Sequence, residues 1–318
     1  MERRCMDLAR ARAEPLAGTA PVATGWLLIE QPGPWGRDAL AASGLDPAIG
    51  ARIAAATADL PVRVQLLRRP SSAAPSDDAL PPPATPASAS RGRRVLLVHA
   101  GPEPWAEALD ITSDAELADL PVERLAGSGA PGLGAPVTGP VWLVCAHSKR
   151  DRCCASAGRP VAAALADQHA GAVWESSHLG GHRFAANLVV LPEGLVYGGL
   201  DPNSATSVAA RHLDGEVAHV HLRGRSHLTR PEQAAEAFVR RELGVTALSG
   251  VVVTASETSA SETSATSTSV RLRVEGDPWS ATVRKVPLGS AAYLSCDAEV
   301  EEDPGRFELV ELQPAPPG

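Results

Sequence analysis

The sequence predicts an α/β protein of layered sheets and helices that closes with a small antiparallel β unit. Three observations carry that expectation. Runs such as GWLLIE and VWLVCAH are apolar throughout, as strands buried on both faces are, and helix-length segments separate them. After residue 245 the pattern changes to alternating apolar and polar positions, the mark of strands with one face in water. Apolar residues make up 44% of the 318 positions and aromatic ones 3%, so small aliphatic side chains must pack the core.

At the start of the chain, GWLLIE and VRVQLL read as strands flanking a helix from about Asp46 to Leu60, and RVLLVHAG supplies another strand. Residues 70–94 are too rich in Pro, Ser and Ala to bury an apolar face and read as a linker within an N-terminal α/β segment, 1–135. Next, VWLVCAH (141–147) is a buried strand running into a cysteine loop. SAGRPVAAALADQHA follows as a helix with Pro160 near its first turn, where a missing N–H costs little. GAVWESSHLGGHRF is a short strand ending in a glycine loop, and NLVVLPEGLVYGGL is a hairpin turning at Pro-Glu-Gly. Two helices follow, in DPNSATSVAARHL and RPEQAAEAFVRREL, the second opening at Pro231 and closing before Gly244.

That order, β-α-β-β-β-α over 136–245, is the order of a thioredoxin-like layer. The N-terminal segment has a similar order without a cysteine loop, which suggests a second, degenerate layer packed on the first. The tail, 246–318, reads as a small antiparallel β unit from VVVTA, VRLRVEG, WSATVRKV and RFELVEL. Its stretch 254–269 repeats SETSA without apolar periodicity and reads as a floppy hairpin tip.

A formal charge of −8 gives no broad attraction to nucleic acid or an anionic membrane. No apolar run approaches the roughly 18 residues of a membrane span, and the N-terminus has no run of signal-peptide length, so a cytoplasmic protein is expected. Five cysteines, three of them within CAHSKRDRCC (145–154), do not resemble the distributed framework of a secreted disulfide protein. In a reducing compartment such a cluster points to metal or redox chemistry.

Cys145, His147, Cys153, Cys154, His178 and His182 all fall at strand ends or adjoining loops of the middle segment, where two loops can meet at one edge of a sheet. In SHLGGH the histidines stand at i and i+4, but two glycines disfavour a helix between them. Gly180 and Gly181 instead allow close backbone approach, with amides aimed at an anionic centre. Two thiolates and two imidazoles can hold a tetrahedral zinc or a [2Fe–2S] cluster. The spacing from 145 to 154 is longer than the C-x₂₋₄-C of a zinc knuckle and suits something larger than one ion, yet on residues alone cluster, zinc and no metal all stay open.

The segments VCAHSKRDRCCASAGRPVAAAL, ESSHLGGHRFAANLVVLPEGLVYGGL and GWLLIEQPGPWG together resemble the sucrase/ferredoxin-like family of thioredoxin-like [2Fe–2S] proteins, over roughly residues 18–245. In its bis-histidinyl members two cysteines nine positions apart and a His-x₃-His pair bind the cluster. The resemblance therefore implies Cys145, Cys154, His178 and His182 as ligands and an electron carrier rather than an enzyme. No carboxylate pair suited to glycoside hydrolysis is identifiable, so no sucrase activity is expected. Imidazole in place of two thiolates removes negative charge, which raises the potential above the roughly −400 mV of plant-type ferredoxins and makes it pH-dependent.

The competing readings are a zinc-stabilised Cys2His2 binding protein without redox activity, and a thiol oxidoreductase using Cys153 and Cys154. Beside the ligands, Cys153 is a buried residue, an alternative ligand or a redox thiol, and His147 a hydrogen-bond partner behind the ligands. His219, His221 and His227 are read as an ordinary strand face, and Cys5 and Cys296 as incidental. Lys149, Arg150, Arg152 and Arg159 against Asp151 make the cysteine loop locally basic, a solvated loop or a rim that docks an acidic redox partner. The electron donor and acceptor are not legible from the sequence.

Overall fold

Capping and burial explain where each element begins. In the computed structural model, which describes residues 4–70, 92–260 and 266–316, a short helix α1 (Cys5–Ala11) precedes strand β1 (Gly25–Glu30). Helix α2 (Pro47–Thr57) starts where the Asp46 carboxylate accepts the Ala48 N–H at 2.8 Å, with Pro47 at its first position. Strands β2 (Val62–Arg68), β3 (Arg93–His99) and β4 (Trp105–Ile111) follow. A capping box between Ser113 and Glu116 opens α3 (Asp114–Ala118), and β5 (Ala135–Pro136) ends this half.

The second half comprises β6 (Val141–Cys145), α4 (Arg152–Gln168), β7 (Val173–Ser176), β8 (Leu188–Leu191), β9 (Leu195–Tyr197), α5 (Pro202–Leu213), β10 (Leu222–Arg225) and α6 (Arg230–Leu243). Strands β11 (Val251–Ala260), β12 (Thr266–Val274), β13 (Asp277–Val286) and β14 (Arg306–Pro314) form a separate four-stranded antiparallel sheet. The α/β class and the antiparallel tail are therefore as expected. No helix among the described residues is long and apolar enough to cross a membrane.

The first ten strands make one mixed sheet in the order β10-β9-β8-β6-β7-β2-β1-β3-β4-β5. Each half repeats one topology. A parallel pair is joined through a helix (β1 and β2 through α2, β6 and β7 through α4), and an antiparallel hairpin is added beside its first strand. The second copy, expected packed on the first, makes its contact through the sheet itself. The two copies meet edge to edge, where β2 and β7 run antiparallel with Leu67 opposite Ser176 and Arg68 opposite Glu175. An exposed parallel-sheet edge is a liability, and each copy covers the other's.

Alternation along the strands divides the core by face. Trp26, Leu28, Leu96 and Val98 join Leu143, Trp174, Val189 and Val196 in one cluster that crosses the junction. On the opposite face Leu27, Ile29 and Leu97 pack on Ile53 of α2, and Trp142, Val144 and Leu188 pack on Val161 and Leu165 of α4. Helix α6 lays Ala234, Ala235, Phe238 and Val239 on Val270, Leu272, Ala281 and Val283 of the antiparallel sheet.

Several local expectations are corrected. Helix α4 begins at Arg152 because Asp151 caps it, so Pro160 lies inside the helix and Cys153 and Cys154 sit on its first turn. His219 and His221 belong to a short 3-10 turn before β10 rather than to a strand. The first SETSA copy, 256–260, is in a paired strand, Ser256 opposite Val270 and Thr258 opposite Thr268, because Thr and Ser suit a solvated sheet face, and the second copy, 261–265, lies outside the described residues. The Pro/Ser/Ala-rich linker falls at 71–91, outside the described residues, while Arg93 and Arg94 are already in β3.

Polar groups buried at the α6 end of the fold form a charged cluster that nothing in the sequence announces. Glu236 accepts from Arg225 Nε and Arg240 Nε, each at 3.0 Å, and Glu236 and Arg240 are buried. Nearby, burial pushes the His227 imidazole down to about 4, and the Arg225 guanidinium adds to the effect. An unfolded chain titrates His227 near 6.5. As the pH falls from about 6.5 to 4 the unfolded state takes up a proton that the folded state refuses, so stability is lost across that window and is unaffected above it. His227→Gln is expected to flatten the fall of Tm between pH 6.5 and 4, measured by circular dichroism. An unchanged slope would show that other groups set it.

Candidate functional site

Strands β6 and β7 run parallel, so the loops leaving their C-terminal ends emerge at one edge. Cys145 is the last residue of β6, with its N–H donated to the Asn187 carbonyl at 3.1 Å. Asp151 then starts α4, its carboxylate accepting the Cys153 N–H at 2.8 Å. Consecutive helical residues point about 100° apart. Cys154 accordingly turns inward to Cys145, while Cys153 faces a different neighbourhood formed by Cys5 and Cys296. One turn on, Gly158 allows the contact: a Cβ there would overlap the Cys145 carbonyl oxygen.

The imidazole of His178, two residues beyond β7, completes the inner group. Its Nδ1 lies 3.8 Å from Cys145 Sγ and 3.6 Å from Cys154 Sγ. The ligand atoms of Cys145, Cys154 and His178 all fall within 4.8 Å of one another, a grouping that could hold a metal ion. The His182 ring stacks on that of His178 at a centroid separation of 5.1 Å, and its buried Nδ1 has no hydrogen-bond partner. His182 thus stands beside the three-residue group rather than within it.

The glycine loop is held from both sides. Ser177 donates its N–H to the Leu66 carbonyl at 2.8 Å and accepts the Leu66 N–H on its hydroxyl at 3.0 Å, while Arg63 Nη2 donates to the His178 carbonyl at 3.3 Å. Arg223 Nη1 donates to the Gly180 carbonyl at 3.0 Å and to Asn187 Oδ1 at 2.8 Å. Gly181 has φ +74°, and a Cβ would overlap the Arg223 guanidinium, so glycine is required twice over. In this loop the Leu179 N–H is a backbone donor that lowers the Cys145 thiol.

Charge at the site is organised around Cys145. Its thiol is held well below the ordinary range, first by the hydrogen bond from Cys154 and further by His178, against the cost of burial. Cys154 moves up through the same shared hydrogen bond and through burial. Both shifts come first from the hydrogen bond that the two thiols share, and burial opposes ionisation of each. Burial pushes the Arg223 guanidinium down to about 9 and lowers Arg63 as well, while Cys145 acts on both in the opposite sense. Among the described residues neither arginine forms an ion pair with a carboxylate.

His147 stands apart from the sulfurs. Its Nε2 is 2.6 Å from the Gly36 carbonyl and its ring meets Trp35 edge-on at 5.8 Å, so it fastens the 31–42 loop. A cleft of about 250 Å³ lined by Arg37, Arg63, Gln65, His147, Arg150 and His178 opens beside it. Lys149, Arg150, Arg152 and Arg159 are exposed around the start of α4, whereas Asp151 is buried under it. Sequence reasoning missed Arg63 and Arg223, which come from distant strands, and also the gathering of Cys5 and Cys296 around Cys153, which corrects their reading as incidental. Only Asp151 carried a local signal, as an N-cap before an apolar run.

No curated protein and no solved structure matches this chain. The sucrase/ferredoxin-like family model matches residues 16–224, a span that includes Cys145, Cys154, His178 and His182, and the chain belongs to that family.

Proposed function

We propose that the protein is an electron carrier that holds a [2Fe–2S] cluster through Cys145, Cys154, His178 and His182. The observation that carries this reading is the convergence of two thiols and one imidazole, with a second imidazole stacked alongside whose buried Nδ1 lacks any partner. A buried polar atom left without a hydrogen bond is costly unless it binds something else. The strand order shared by the two halves supports the thioredoxin-like reading of the family resemblance.

Such a cluster supplies one-electron exchange when bound. The chain's own part is to place the donors and set the charge around them. The Cys145 thiol is held low, with the Leu179 N–H among the causes, and the guanidinium groups of Arg63 and Arg223 favour added negative charge, which shifts the balance toward a reduced centre. The cleft beside His178 and its arginines give a basic approach suited to an acidic redox partner, whose association would weaken as salt rises.

The test is the content and spectrum of the full chain isolated without oxygen. About two irons and two sulfides per chain are expected, with visible absorption lost in Cys154→Ser and lost or shifted in His178→Ala. One observation favours a second reading. The ligand atoms of Cys145, Cys154 and His178, all within 4.8 Å of one another, are also grouped compactly enough for one zinc ion. A colourless, iron-free protein after reconstitution, whose zinc disappears in Cys154→Ser, would overturn the cluster and establish that alternative.

A further inference from the structure

Three sulfurs and a carboxylate meet on the other side of the α4 N-terminus. Cys5 comes from α1, Asp151 and Cys153 from the start of α4, and Cys296 from the segment between β13 and β14. Cys5 Sγ lies 3.6 Å from Cys153 Sγ and 3.7 Å from Cys296 Sγ, Cys153 Sγ lies 3.3 Å from Cys296 Sγ, and Asp151 Oδ2 lies 3.7 Å from Cys5 Sγ. All four ligand atoms fall within 4.8 Å of one another. We propose that Cys5, Asp151, Cys153 and Cys296 form a second metal site, for one thiophilic divalent cation of the zinc type, distinct from the centre at Cys145.

The geometry matches the ion. Zinc–sulfur bonds of about 2.3 Å in a tetrahedron put neighbouring sulfurs about 3.8 Å apart, and the three sulfur separations are close to that edge. Disulfide sulfurs would be about 2.05 Å apart, all three cysteines are free, and an odd number of thiols leaves one without a mate. Buried cysteines often act simply as small apolar residues. That account fails for Asp151, a carboxylate 2% exposed and turned toward the sulfurs.

The carboxylate is also fixed in place, because its oxygens accept the Cys153 and Cys296 N–H groups, each at 2.8 Å. Each oxygen keeps further lone-pair capacity for a metal. The site's net negative charge would sit at the N-terminus of a 17-residue helix, where the helix dipole favours it. Three sulfur donors select a soft ion over magnesium or calcium, and the half-buried Cys296 leaves a way in from solvent. The bound ion would clip α1 and the β13–β14 segment to α4. Its ligands are all different from those of the proposed cluster, so the two readings stand or fall separately.

The test uses the full chain, with zinc and iron measured in the same samples after dialysis against a mild chelator. About one zinc per chain is expected in the wild type, with X-ray absorption showing about three sulfur neighbours at about 2.3 Å. Cys5→Ser and Cys296→Ser should each lower zinc at least ten-fold and leave iron and visible absorption in place. Cys154→Ser should do the reverse. In the unaltered chain, Zn²⁺ should slow alkylation of Cys5, Cys153 and Cys296 at least ten-fold, read peptide by peptide. Zinc retained in both serine variants, or alkylation equally fast with and without Zn²⁺, would overturn the site.

Discussion

Replacing Gly158 with alanine is expected to destabilise the protein by about 2–3 kcal/mol and to weaken binding at the proposed centre at Cys145. A Cβ at this position would overlap the Cys145 carbonyl oxygen and stand 3.0 Å from its carbonyl carbon. Both belong to the backbone of β6, a strand held on each side by β7 and β8, which cannot move aside as a flexible side chain would. Helix α4 must retreat instead. Its Val161, Ala162 and Leu165 then lose contact with the core cluster beneath, and Cys154 is carried away from Cys145. Alanine's better helix propensity returns only about 1 kcal/mol. Gly129, whose added Cβ would meet nothing within 4 Å, is the control, with Gly129→Ala expected to be nearly neutral. Thermal unfolding and metal content measured together decide the matter. A Gly158→Ala protein that melts with the wild type and keeps its metal would mean that α4 is not in contact with β6.

The second large effect is expected at Arg223, which is fully buried and, among the described residues, bonded only to neutral acceptors: the Gly180 carbonyl, Asn187 Oδ1, and the Thr19 hydroxyl and carbonyl. Arg223→Met leaves several of these acceptors buried without a donor, at about 1–3 kcal/mol each. Relief from burying a guanidinium offsets part of that, so a net loss of about 3 kcal/mol is expected in urea unfolding. The glycine loop would lose its anchor. The midpoint potential of the proposed cluster would also fall, since a positive charge that favours the reduced form is gone. Arg223→Lys keeps the charge without the planar fork and should restore more of the potential than of the stability. Equal effects of Met and Lys on the potential would show that the charge is not felt there.

These two positions also show what the sequence could and could not reveal. GWLLIE, VWLVC and LVVL were legible as strands because helices or core cover both their faces, leaving unbroken apolar runs. Strand β10, LRGR, lies inside the strand expected around His219 to His227, but the role of Arg223 was not legible, because it occupies a buried position with a polar function that no periodicity encodes. Pro160 drew the expected start of α4 too far along, whereas Asp151 supplies the cap. That shift matters for the site, since it is the helical first turn that sends Cys153 and Cys154 in different directions. Cys145, Cys154 and His178 could be gathered from local spacing and neighbouring loops. Cys5 and Cys296 could not, because they reach Cys153 only across more than a hundred residues of intervening chain.

The edge-to-edge junction between β2 and β7 bears on the order of assembly. Only two residue pairs form its ladder, reinforced by the Arg68–Glu175 ion pair at 2.7 Å and by the paired bonds between Leu66 and Ser177. His178 follows directly on that junction, and its carbonyl is held by Arg63 from the opposite half. The thiols of Cys145 and Cys154 belong to one βαβ unit and can form early through contacts near in sequence. The imidazole takes its place only after both halves have docked, a closure of more than a hundred residues that is slow for the same reason long loops are slow to close. Loading of the proposed centre would thereby come late in the life of the nascent chain, after a checkpoint that only a completed sheet passes.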